Sequence, residues 1–104
     1  MELISELKEK QNEMASWRQH LHQFPEIAYE EAMTSDFVAA KLESFGVEVH
    51  RGLGKTGVVG VIHGADSDDG TVSAIGLRAD MDALPMEEKT NLPYASKHAN
   101  RMHA

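Results

Sequence analysis

The hydrophobic period of this chain changes at Gly46, and that change constrains the fold more than any other feature. Before it, apolar side chains recur at helical spacing. After it, they alternate or run together as in strands. A chain read this way folds as helices packed against a sheet, an α/β arrangement. Leu3, Ile4, Leu7, Met14, Trp17 and Leu21 keep one face of a helix over 3–23, with a polar gap at Gln11. Pro25 stops it, because its ring and missing N–H do not fit a helix interior. A second helix is predicted over about 31–45, with Phe37, Val38, Lys41, Leu42 and Phe45 on one face and the lysine stem lying along it. Gly46 ends that helix as the residue that enters the left-handed region freely.

Three strands are expected next. "VEVHRG" (47–52) alternates and reads as half-buried. "TGVVGVIHG" (56–64) is apolar enough for a central position. "TVSAIGLRAD" (71–80) is the third, paired with the second across the acidic turn "ADSDDG". Gly60 and Gly76 inside strands predict close backbone approach or a bulge. After Pro85 the periodicity dissolves, and the remaining 19 residues carry no closing element. The expectation is two helices then three strands, an incomplete portion of a larger domain filling residues 1–104.

Composition narrows the chemistry. The chain has 104 residues with 17 acidic and 10 basic side chains, a net charge of -7, and no Lys/Arg cluster. That balance argues against a nucleic-acid partner, which calls for a basic stripe. There is no cysteine, so no disulfide scaffold and no thiolate ligand or nucleophile lies within it. The first residues lack the apolar stretch of a signal peptide, and no run approaches a membrane span. The cytoplasm is the expected location.

"GLGKTG" (52–57) suggests a phosphate loop, but the full pattern places a glycine where this chain has Val49, and a strand follows instead of a helix. It reads as a turn with an exposed lysine. His20 and His22 are two apart on a helix and face different ways, so they do not chelate together. His50 and His63 have no ligand neighbours in sequence, and His98 and His103 fall in the tail. The strongest local signal is "IGLRADMDALP" (75–85). If the strand persists through it, Asp80 and Asp82 share a face about 6.6–6.8 Å apart. Two such carboxylates suit a metal-bound water or the second nitrogen of a metal-bound histidine. They equally suit a solvated strand end paired with Arg78.

"WRQHLHQFPEIAYEEAMTSDFVAAKLESFG" (17–46), "IGLRADMDALPMEE" (75–88) and "NLPYASKHANRMHA" (91–104) together resemble the opening of an M20-type metal-dependent amidohydrolase. The branch resembled is that of aminoacylases, hippurate hydrolases and auxin-conjugate hydrolases. The resemblance implies a mixed-sheet, metallopeptidase-like α/β catalytic domain, interrupted by a smaller lid or dimerisation domain, in a homo-oligomeric parent. It implies two divalent ions (Zn, Mn, Ni or Co) that activate a water, and a small N-acyl amino acid as substrate, with no nucleic acid and no membrane. It makes Asp82 the catalytic-site aspartate that supports the metal centre by holding a ligand histidine. Asp80 stands where other branches place a histidine ligand, and is not expected to bind metal here. In the branch, Met-His-Ala is followed by Cys-Gly-His-Asp, which carries ligands. No metal ligand and no bound metal are therefore expected within this chain, and the piece alone is expected to be inactive. Arg78, Pro85, His22, Pro25 and Glu26 match positions of structural character. Asn100 and Arg101 depart from the commoner glycine and small apolar residue before Met-His-Ala. The alternative is a stand-alone small α/β binding or interaction domain without catalysis.

Overall fold

In a computed structural model, the protein is described over residues 2–65, 70–71 and 73–104. The order of elements is α1 (Glu2–Glu9), α2 (Gln11–Gln23), α3 (Ala32–Ser44), β1 (Glu48–Leu53) and β2 (Gly57–Val61). The predicted order of two helices then three strands is therefore incorrect. The chain has three helices followed by two strands. They fall into two compact units, Met1–Glu31 with Asp82–Ala104, and Ala32–Met81.

The single helix expected over 3–23 is divided at Lys10. There the amide is shared between the carbonyls of Glu6 and Leu7, at 3.3 and 3.2 Å, which tightens the turn next to the polar gap at Gln11. Met14 N–H then bonds Lys10 C=O at 3.0 Å, and α2 proceeds to Gln23. Beyond Pro25, which is fully buried, the first unit is held by short backbone bridges rather than by a sheet. Ile27 pairs parallel with Ala83, and Leu84 pairs antiparallel with Met102. Ala83 N–H donates to Glu26 C=O at 2.8 Å, and Leu84 and Met102 exchange bonds of 2.9 and 3.1 Å. Lys97 N–H closes the unit onto Gln23 C=O at 2.8 Å. The tail that showed no periodicity is thus anchored by backbone bonds that need none.

In the second unit, α3 packs on a hairpin. Its helix ends as the sequence predicts. Gly46 has φ +76°, its N–H bonds Glu43 C=O at 3.0 Å, and Val47 N–H bonds Leu42 C=O at 3.1 Å, a Schellman closure. The buried positions of α3 are Thr34, Ser35 and Ala39, with Val38 and Leu42 half-buried. That face is rotated from the expected one, and Phe45 is exposed. Lys41 places its ammonium 5.6 Å from the Phe37 ring centre instead of laying only its stem there.

The hairpin joins β1 to β2, antiparallel, with Glu48 opposite Val61 and His50 opposite Val59. The expected pairing of the second strand with a third is not seen among the described residues, where 73–81 form no strand. Turn chemistry sets the β1–β2 pairing instead. Gly54 at φ +59° and Lys55 at φ +77° close a short loop, and Gly52 at φ +87° absorbs the register shift between Arg51 and Leu53. "GLGKTG" is this turn, as the sequence reading held. Gly60 is the close approach that its position in a strand predicts. A Cβ there would lie 2.9 Å from Val47 Cγ1 and 3.3 Å from Leu42 Cδ1. Residues 73–81 form no strand, and Ile75 and Leu77 are 92% and 95% exposed. A strand needs a partner for its backbone groups, and none of the described residues pairs with these. The predicted acidic turn falls largely on 66–69, outside the described residues. Gly76, expected in close backbone contact or at a bulge, has none of the described residues within 4 Å of its Cβ position.

Candidate functional site

The first unit brings together Asp82, His103, His22 and Glu88. Asp82 directly precedes Ala83, the residue bridged to Ile27 on one side, while Leu84 beside it is bridged to Met102. His103 directly follows Met102. The Leu84–Met102 bridge therefore brings the segments bearing Asp82 and His103 together, although 21 positions separate them in sequence. Asp82 is half-buried. Asp80 lies in the other unit, in an exposed ion pair with Arg78 whose Nη2–Oδ1 distance is 3.0 Å. The strand that would place both aspartates on one face is not formed.

His103 is not the loose tail residue that sequence suggests. Its Nε2 is buried and has no hydrogen-bond partner among the described residues. Burial, then the nearby His22, hold its pKa below the ordinary 6.5, while Asp82 acts in the opposite direction. That direction favours the neutral ring, which keeps a nitrogen able to bond.

His22 comes from the last turn of α2, and its ring centre is 6.4 Å from that of His103. Its Nε2 meets Glu88 Oε1 at 2.8 Å, with 12% and 5% of the two side chains exposed. Glu88 also accepts from the Thr90 hydroxyl and from Ser96 N–H, the latter at 2.9 Å. The Thr90 bond, then the Ser96 bond, then His22 hold its carboxyl below the ordinary 4.5. Tyr94 stands edge-on to His22 at 5.7 Å. Sequence reasoning passed over Glu88, which sits in "MEEKTNLPY", where no pattern distinguishes it from Glu87. Its role comes from a contact 66 residues away along the chain.

A second histidine pair lies on the hairpin. Glu48 Oε2 is 3.2 Å from His63 Nε2 and 3.5 Å from His50 Nε2, all three side chains exposed. Among the described residues no group of three or more His, Cys, Asp or Glu is arranged to hold a metal ion. A buried, open imidazole nitrogen near a carboxylate has the donor chemistry a divalent ion accepts. Two such groups fall short of the roughly four ligands a fixed ion takes. The residues present do not make a metal site by themselves.

No family model matches the chain. The hippurate hydrolase of Campylobacter jejuni is 51% identical over 104 residues, covering 100% of this chain and 26% of that protein. The N-acyl-L-amino acid amidohydrolase of Geobacillus stearothermophilus is 42% identical over 103 residues, covering 98% of this chain and 26% of that protein. The crystal structure of the YxeP protein of Bacillus subtilis, a dinuclear metal binding peptidase from the M20 family, superposes with a TM-score of 0.82 at 36% identity. It covers 92% of this chain and 26% of that one. The chain is homologous to the M20-family metal-dependent amidohydrolases and peptidases. It spans about a quarter of the length of these curated relatives.

That homology bears on particular residues. Asn100, where the M20-type pattern more often has glycine, has φ +61°. Asparagine is among the few residues other than glycine that adopt this conformation readily. No helix among the described residues is long and apolar enough to cross a membrane.

Proposed function

We propose that this chain is the N-terminal portion of the catalytic domain of a metal-dependent hydrolase that cleaves the amide bond of N-acyl amino acids, hippurate-like substrates included. The observation that carries the reading is the junction at 82–84 and 102–103. It sets half-buried Asp82 beside the segment of half-buried His103, whose Nε2 is buried and open. Similarity to a hippurate hydrolase and to an N-acyl-L-amino acid amidohydrolase over nearly the whole chain supports the substrate class.

In this reading Asp82 supports the reaction centre by holding a ligand histidine, and His103 lines the same wall. Divalent ions (Zn, Mn, Ni or Co), held largely by residues other than those described, supply the activated water. The parent is a homo-oligomeric cytoplasmic enzyme. A net charge of -7 supports a small-molecule substrate over a nucleic acid.

The test is release of free amino acid from a panel of N-benzoyl and N-acetyl amino acids by the full-length protein, with unblocked dipeptides beside them. Hydrolysis of the acylated compounds is expected. Cleavage of the dipeptides alone would refute the substrate class.

A further inference from the structure

Glu88 has no part in the reading so far, yet its carboxylate collects three donors: the Thr90 hydroxyl, Ser96 N–H at 2.9 Å, and His22 Nε2 at 2.8 Å. An ionised carboxylate only accepts, so this contact fixes the proton of His22 on Nε2. The ring cannot turn without leaving a buried charge short of a donor, which is costly. Tyr94 closes the ring edge-on, and the rings of His22 and His103 lie 6.4 Å apart at a tilt of 40°. That separation is within the range of aromatic contact. His103 has no comparable anchor at Nε2. The orientation of its ring depends on what stands beside it, and what stands beside it is a histidine that cannot rotate.

We propose that Glu88 is a positioning residue: by locking His22, it sets the orientation of the His103 ring and the place of its open Nε2 near Asp82. The proposal rests on the reading that this wall faces the reaction centre of an amide hydrolase. A plain loop staple would explain the bonds from Thr90 and Ser96, which tie 88–96 together. It does not explain why the carboxylate also spends its third contact on a ring of α2 that borders His103.

Three variants of the full-length protein separate these roles. Glu88→Gln keeps the shape and can still accept from Ser96, but removes the charge that fixes the proton of His22. His22→Gln puts an amide near the place of Nε2, preserving the bond to Glu88 while deleting the ring wall. Thr90→Ala removes a bond to the same carboxylate without touching His22. Glu88→Gln and His22→Gln are expected to lower kcat by about 10–100-fold, the range seen when groups that orient the residues of a metal centre are lost, with KM little changed. Both are expected to move the imidazole ¹⁵N resonances of His103, and Thr90→Ala to move neither kcat nor those resonances. The proposal is overturned by wild-type kcat in either glutamine variant. It is equally overturned by a kcat loss with unmoved His103 resonances, or by Thr90→Ala matching Glu88→Gln. If the wild-type protein hydrolyses no N-acyl amino acid, the functional reading fails separately. The spectra then decide alone: resonances of His103 unmoved by Glu88→Gln overturn the positioning role, and moved resonances uphold it.

Discussion

Replacing Gly60 by alanine tests how α3 sits on the hairpin. Gly60 lies in β2 opposite Val49, on the face that Leu42 of α3 covers. The new methyl would stand 2.9 Å from Val47 Cγ1, and 3.3 and 3.6 Å from the two methyls of Leu42. Unstrained carbon contacts lie at about 3.5–4.0 Å, so Val47 must retreat by roughly half an ångström or more. Both neighbours present the ends of side chains, not backbone, and both are half-buried, so they have room to give. That places the cost in the lower part of the usual 1–3 kcal/mol for overpacking, about 1–2 kcal/mol. The assay is native-state hydrogen exchange of the β1–β2 amides, which reads local opening whatever the rest of the molecule does. Exchange is expected to quicken about 5–30-fold, since 1.4 kcal/mol is tenfold. Gly64→Ala is the control, because none of the described residues lies within 4 Å of its Cβ position. Equal exchange in the two variants would refute the close approach of α3 to the hairpin.

In the full-length protein, Asp82→Ala is expected to lower kcat/KM by about 10–100-fold while leaving the melting temperature nearly unchanged, and Asp80→Ala, whose ion pair with Arg78 is exposed, to change neither kcat/KM nor the melting temperature appreciably; equal turnover in the two variants would remove Asp82 from the site. The 104-residue chain alone is expected to self-associate, because its buried hydrophobic residues among those described are Ala39 and Ala83, while Ile62, Ile75 and Leu77 are exposed. Light scattering that finds a monomer with a cooperative melt would contradict this. Burial lowers the pKa of His103 below 6.5 in the fold, so between the folded and unfolded values the unfolded chain holds more protons. Its contribution to stability is complete above about pH 6.5 and is lost as pH falls through the folded value. An NMR titration of His103 that returns 6.5 or higher would refute it.

The sequence carried its clearest messages where a local rule acts alone. Gly46 as a helix end, Pro25 as a stop, the turn at 52–57 and the tight place at Gly60 were all legible, because each follows from one residue and its immediate neighbours. The division at Lys10 was not, since a shared amide at a polar gap leaves no mark in hydrophobic spacing. The third strand was wrong for a different reason. Alternation and β-branched residues say what a segment can become, while pairing decides what it is, and 73–81 has no partner among the described residues. The site divided the same way. Asp80 and Asp82 stood out together from their place after an apolar run, and the family resemblance alone preferred Asp82. Glu88 and the burial of His103 arise from contacts between α2, 82–88 and 94–103 that no window of sequence contains. Asn100, a departure from the pattern of the resemblance, sits at φ +61°, a conformation asparagine tolerates.

The central claim is that the protein carrying this chain is a metal-dependent amide hydrolase. The most direct test is the hydrolysis of N-benzoylglycine by the full-length protein as purified, after chelation, and after return of Zn, Mn, Ni or Co. The account predicts turnover that disappears with the metal and comes back with at least one of the four ions. Turnover indifferent to chelation, or none on N-benzoylglycine or any other N-acyl amino acid with any of the four ions, would contradict it.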